Sequence, residues 1–139
     1  FPESATPKDG PSAGVATVTC IISAICNLRI RNDIAMAGEV GLRGNAMPIG
    51  GLREKTNAAS REHIKTVFIP QENHKDRVEL PKEITDVLEI VEIKKVTDLF
   101  PHVFLENIAE LKDKIYELTS PKKREEEKKT TARKSRKAV

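Results

Sequence analysis

Two side chains in this sequence have the type and setting to do bond-breaking chemistry: Ser12 and Lys55. Ser12 follows Asp9-Gly10-Pro11, a turn that leads directly into a helix, and opens an uncharged run, SAGVATVTCIISAICNL, that reaches Leu28. A serine placed there faces unpaired backbone N–H groups and the positive end of the helix dipole, which together stabilise an oxyanion and suit acyl transfer. Serine is equally a preferred helix N-cap, so from these residues alone both roles stand. A nucleophilic serine needs a base. The three histidines, His63, His74 and His102, fall in polar or helical surface contexts with no orienting carboxylate, and we read them as surface residues. A lysine can replace histidine where burial leaves its amine neutral. Lys55 qualifies because Pro48-Ile49-Gly50-Gly51-Leu52 supplies apolar, close-packing neighbours and because the first turn of a helix disfavours a cation. The alternative for Lys55 is an exposed side chain paired with nearby Glu54.

The elements that must position these residues follow from pattern. The uncharged run from Ser12 is either a helix buried on most of its surface or two short strands, and its length favours the helix. Short strands are expected over Asp33–Met36 and Glu39–Leu42, with Gly38, Gly41 and Gly44 marking turns or bulges, and a further extended piece over Ala46–Ile49. Gly50-Gly51 precedes a helix over Leu52–His63, which puts Lys55 in its first turn. A buried strand is expected at Lys65–Pro70, a polar loop at Glu72–Asp76, a short helix at Pro81–Leu88 and a near-edge strand at Leu88–Lys94. After Lys95 a helix capped by Thr97 takes Pro101 in its first turns, and a longer helix spans Val103–Leu118 at apolar helical spacing. The pattern predicts an α+β fold with a small mixed sheet and packed helices.

Composition narrows the class. At 139 residues with 38% hydrophobic and 32% charged, the chain has apolar material for one modest core, and no apolar run approaches the roughly 20 residues that cross a bilayer. The opening FPESATPKDG lacks the features of a signal peptide, and a first residue of Phe is expected of a cleavage product, an excised domain or a piece of a longer protein. Cys20 and Cys26 match no zinc spacing and fall on different helix faces; they are expected to be small buried residues, unpaired with each other. No metal site is expected. The net charge of +3 divides unevenly: Pro121–Val139 carries nine Lys and Arg against three Glu, leaving 15 basic and 18 acidic residues elsewhere. We therefore expect a domain over 1–118 and a basic, disordered tail over 119–139. Such a tail serves as a solubilising extension or, more weakly, as a nucleic-acid contact through counterion release.

Two stretches carry a resemblance. PKDGPSAG, from Pro7 to Gly14, is similar to the nucleophile motif of the Lon protease family, and GEVGLRGNAMPIGGLREK, from Gly38 to Lys55, is similar to that family's second signature, in the same order and spacing. The similarity continues through KTVFIPQENHKD to about Leu105. The GEVGL portion also resembles Lon-like domains of non-proteolytic ATPases, whereas Ser12 and Lys55 are the residues that separate the proteases from them. The resemblance implies an ATP-dependent serine endopeptidase of unfolded or damaged proteins, with a Ser12–Lys55 dyad, backbone N–H groups near Ser12 as oxyanion donors, and Asp9 either tuning the site or shaping its turn. It further implies a homo-oligomeric ring, most often a hexamer, in the cytoplasm, or alternatively in an organelle such as the mitochondrial matrix. No Gly-x-x-x-x-Gly-Lys-Ser/Thr loop occurs, so no cofactor is expected in this chain, and ATP and Mg would belong to an ATPase module outside it. One departure stands out. Ala37-Gly38-Glu39 replaces the family's usual Thr-Gly-Glu and removes a hydroxyl from the neighbourhood of the lysine, which is expected to weaken its orientation; the alternative reading of the chain is accordingly a catalytically weak docking or assembly module.

Overall fold

A three-stranded, wholly parallel sheet organises the structure, a computed structural model that describes residues 11–110. Its order is β1-β4-β5, with β1 at Ile34–Met36, β4 at Thr66–Pro70 and β5 at Glu89–Ile93. The register sets Ile34 beside Thr66 and Met36 beside Phe68, then Thr66 beside Glu89 and Pro70 beside Ile93. A short antiparallel hairpin of β2 (Glu39–Val40) and β3 (Ala46–Met47) leaves the end of β1 and turns at Gly41–Gly44, where Gly44 takes φ 78°. The Ala46 N–H donates to the Lys94 carbonyl at 2.8 Å, which ties the hairpin to the end of β5. The fold is α+β, as expected, with the parallel and antiparallel pairings segregated into two sheets.

β4 is buried at every residue because both of its faces are covered, so its sequence, TVFIP, shows no polar alternation. One face carries Val67 and Ile69 into a cluster with Ile49, Leu52, Ala59, Leu80, Ile84, Leu88 and Ile90. Leu52 and Ala59 come from helix α2 (Leu52–Arg61), and Ile84 from the short helix α4 (Lys82–Thr85). Phe68, of opposite parity, points to the other face, where the His102 ring lies 6.1 Å from its own. His102 belongs to α5 (Phe100–Val103), which carries Pro101 in its first turn as expected.

Helix α1 (Gly14–Cys26) forms within the predicted run, entered through a 3₁₀ turn at Pro11–Ala13 and closed by Asn27 in the left-handed region at φ 53°. Its burial is narrower than expected. Among its residues only Val15 and Thr19 are buried, while Ile21 is 52% and Ile25 78% exposed. An uncharged sequence reports the absence of charge, not how many faces a neighbour covers. Thr19 tolerates its burial because its hydroxyl donates to the Val15 carbonyl one turn back, at 2.9 Å. Both cysteines are free thiols; Cys20 is exposed and Cys26 half-buried, so the expectation that both are buried does not hold.

Three further expectations are corrected. The stretch read as a polar loop at Glu72–Asp76 is helical, a 3₁₀ turn at Gln71–Asn73 running into α3 (His74–Val78). The cap after Lys95 is not Thr97: the Asp98 carboxylate accepts the N–H groups of Lys94 and Lys95 at 3.1 and 2.9 Å and heads a 3₁₀ turn at Val96–Leu99. The long helix expected from Val103 is interrupted, because Val103 ends α5 and Phe104 forms a bridge with Ile30. Residues as far as Leu105 belong to one compact unit; in the second, Asn107 Oδ1 accepts the Ala109 N–H where a helix starts at Ile108. The continuation of that helix to Leu118 and the basic tail lie outside the described residues, as does Asp9.

Candidate active site

Ser12 sits in the 3₁₀ turn that enters α1 and is half-buried. Its hydroxyl is not a helix cap: the N-cap position of α1 is Ala13, and among the described residues no side-chain hydrogen bond caps that end. What holds the turn is main chain. The Ser12 carbonyl accepts the Gly38 N–H at 2.9 Å, and the Val15 N–H donates to the Gly38 carbonyl at 3.0 Å, which removes one of the unpaired donors of the helix start.

Lys55 lies in the first turn of α2, its N–H donating to the Gly51 carbonyl at 3.1 Å. Gly51 takes φ 67°, a left-handed conformation that lets the Pro48–Gly51 loop turn sharply into the helix. Leu52 and Thr56 are buried, and Lys55 falls on the same stripe, three positions after Leu52 and four before the buried Ala59. Arg53 and Glu54 are exposed, while Lys55 is half-buried. Among the described residues no hydrogen bond or ion pair engages the Lys55 amine or the Ser12 hydroxyl, so the surface pairing with Glu54 does not form. The structure does not bond the two side chains to each other. It attaches both elements to the segment leaving β1: Gly38 binds the Ser12 turn, and Ala37 packs against the cluster that contains Leu52 and Ala59.

Two positioning features escape sequence reasoning. Gly38 reads as a turn glycine, but its function is a main-chain contact across the fold. Asn73, placed in a polar loop, is 2% exposed; its Oδ1 accepts the Ile49 N–H at 3.0 Å, and its Nδ2 donates to the Ile49 carbonyl at 2.8 Å and to Asp76 at 2.7 Å. It thereby fixes the loop that delivers Lys55. No periodic signal marks either residue. A cavity of about 400 Å³ beside this loop, lined by Gly50, Gly51, Arg53, Glu54, Asp76 and Glu79 among others, includes neither Ser12 nor Lys55.

His63, His74 and His102 are all exposed, as expected of surface residues, with one correction. His74 does have a carboxylate: its Nδ1 lies 2.8 Å from Glu92 Oε1, the atom that also accepts from Arg77 at 2.8 Å. The Arg77 hydrogen bond first, then that of His74, holds the Glu92 carboxyl below the usual range. His74 is well exposed, so this is a surface cluster rather than a catalytic pair.

Comparison with known proteins gives the family. Residues 1–106 match the family model of the Lon protease (S16) C-terminal proteolytic domain, ending where the compact unit ends. The chain is 53% identical over 104 residues to a Lon protease of Brucella suis biovar 1 (strain 1330), covering 75% of this chain and 13% of that relative. It is 45% identical over 120 residues to a Lon protease of Azospirillum brasilense, covering 86% of this chain and 15% of the relative. A Lon protease of Nitratidesulfovibrio vulgaris (strain Hildenborough) is 51% identical over 104 residues, or 75% of this chain and 13% of its own length. The chain thus spans about an eighth of the length of these curated relatives, and within that span it belongs to the Lon protease (S16) C-terminal proteolytic domain family.

Proposed function

We propose that this chain is the C-terminal part of the proteolytic domain of an ATP-dependent serine endopeptidase, with Ser12 as nucleophile and Lys55 as general base. The observation that carries the reading is a pair of uncommitted groups. Among the described residues, Ser12 stands at a helix start with no partner for its hydroxyl, and Lys55 stands on the inward stripe of α2 with no ion pair at its amine, both half-buried. In the reaction, the Lys55 amine accepts the Ser12 proton as general base while Oγ attacks the peptide carbonyl carbon, and main-chain N–H groups at the turn stabilise the oxyanion. The resulting ammonium protonates the leaving amine as the C–N bond breaks. Lys55 then takes a proton from water, whose oxygen attacks the acyl-enzyme carbonyl carbon, and returns that proton to Ser12 Oγ as the ester bond breaks.

Substrates under this reading are unfolded or damaged proteins. ATP and Mg would act in a module outside this chain, with the whole assembled as a cytoplasmic homo-oligomeric ring. Ala37 favours a second reading, a catalytically weak docking or assembly module, since its methyl offers Lys55 no hydrogen bond. Cleavage of an unfolded protein by the intact protein with ATP decides between them. Ser12→Ala and Lys55→Ala should each abolish cleavage in a folded protein; cleavage at the normal rate by either variant contradicts the dyad, and no cleavage by the unaltered protein supports the docking module.

A further inference from the structure

Among the described residues, the main-chain hydrogen bonds between the Ser12 turn and the segment leaving β1 all run through Gly38. Gly38 donates to the Ser12 carbonyl at 2.9 Å and accepts from the Val15 N–H at 3.0 Å, so it grips the turn at the nucleophile's own carbonyl and again three residues on. Gly38 is buried at φ 156°, and a Cβ there would lie 2.6 Å from Val15 Cγ2 and 3.3 Å from Pro70 Cγ. The approach is close from the other side as well, since a Cβ on Gly14 would fall 3.1 Å from the Val40 nitrogen. One residue earlier, Ala37 donates its N–H to the Phe68 carbonyl at 3.0 Å, extending the β1–β4 ladder, and packs on the cluster holding Leu52 and Ala59 of the helix that carries Lys55.

We infer that Gly38 is a positioning residue for catalysis: its two main-chain bonds and missing side chain set where the Ser12 turn sits relative to the helix of Lys55. The inference rests on the proposed dyad. A methyl group at 38 must retreat from 2.6 Å to an ordinary carbon contact of about 3.5–4.0 Å, a displacement of about 1 Å. Because Gly38 is bonded to Ser12 and Val15, the turn moves with it. A shift of that size in a reacting group costs about 100-fold in rate. The loss falls on kcat and spares KM, since the displaced hydroxyl acts in the chemical step and not in ground-state binding.

The test is peptide cleavage by the intact protein with ATP, comparing Gly38→Ala, Gly38→Ala with Val15→Ala, Val15→Ala alone and Gly44→Ala. Gly44 also sits at positive φ, but no atom lies within 4 Å of where its Cβ would be, so it controls for backbone strain without the contact. The expected result is a roughly 100-fold fall in kcat for Gly38→Ala with KM within about 2-fold, recovery of at least about 5-fold on adding Val15→Ala, and near-normal kcat for Gly44→Ala. A folded Gly38→Ala with normal kcat, a loss confined to KM, or a double variant no more active than the single one overturns the inference. If Gly38→Ala does not fold, the double variant is read against Val15→Ala: a kcat lower by about 5-fold or more at equal KM supports the inference, and equal kcat overturns it. Ser12→Ala measured alongside separates the two proposals. Its retaining cleavage defeats the dyad, whereas its inactivity beside a normal Gly38→Ala defeats only the role of Gly38.

Discussion

Asn73→Ala is the sharpest structural perturbation available near the site. Asn73 is nearly inaccessible, and its amide satisfies both the N–H and the carbonyl of the buried Ile49 while donating to Asp76. Truncation removes these three hydrogen bonds and leaves the N–H and the carbonyl of the buried Ile49 without these partners. Each such buried group costs about 1–3 kcal/mol, so the expected loss is about 2–4 kcal/mol. Against a typical domain stability of about 5–15 kcal/mol, that is a large fraction. The loss is read from urea unfolding of the chain and, locally, from faster amide exchange at Ile49, because the loop ahead of α2 opens first. Asn73→Asp keeps an acceptor for the Ile49 N–H but sets a carboxylate against the Ile49 carbonyl and Asp76, so it should be at least as damaging. A midpoint for Asn73→Ala equivalent to less than about 0.5 kcal/mol of change, with Ile49 exchange unaltered, would refute the assignment of Asn73 as the clasp of this loop.

Other outcomes follow from the same geometry. Gly51→Ala, at φ 67°, should destabilise by about 1–2 kcal/mol in urea unfolding and lower peptidase kcat by shifting the start of α2. The Glu92 carboxyl is held below its ordinary range in the folded state, so its contribution is fully present above the unfolded value, near about 4.3, and is lost as pH falls through the folded one. Unfolding midpoints of the unaltered chain and of Glu92→Gln should therefore differ at neutral pH and converge in strong acid. Ala37→Thr places a hydroxyl at the apolar cluster to which the Lys55 helix contributes and should raise kcat by up to about 10-fold, or about 1.4 kcal/mol, in peptide cleavage by the intact protein; a decrease would show that its extra volume against that cluster outweighs a hydrogen bond to Lys55.

The parts of the fold that were legible in sequence are those whose burial has a period or a boundary residue. TVFIP reads as a strand buried on both faces, and Gly50-Gly51 before LREK gives the start of α2 and the turn that holds Lys55. Residues 71–78 were illegible because that helical stretch packs through the side chain of Asn73 rather than through an apolar stripe. The exposure of Ile21, Ile25 and Cys20 was equally hidden, since which faces of an uncharged helix are covered depends on its neighbours. In the candidate site, sequence singles out side-chain types but not the scaffold that holds them. Ser12 and Lys55 belong to residue types that do chemistry, whereas Gly38 and Asn73 act through main-chain contacts between distant segments, and such contacts leave no pattern along the chain.

The Ser12–Lys55 dyad is tested most directly by the reactivity of the serine itself. The intact protein is treated with a fluorophosphonate, which phosphonylates activated serine hydroxyls, the serine oxygen bonding to phosphorus as fluoride leaves, and the adduct is located by mass spectrometry. The account predicts a single adduct on the peptide bearing Ser12 that disappears when Lys55 is changed to Ala in a protein that still folds. An adduct elsewhere, or labelling of Ser12 at an undiminished rate without Lys55, would contradict it.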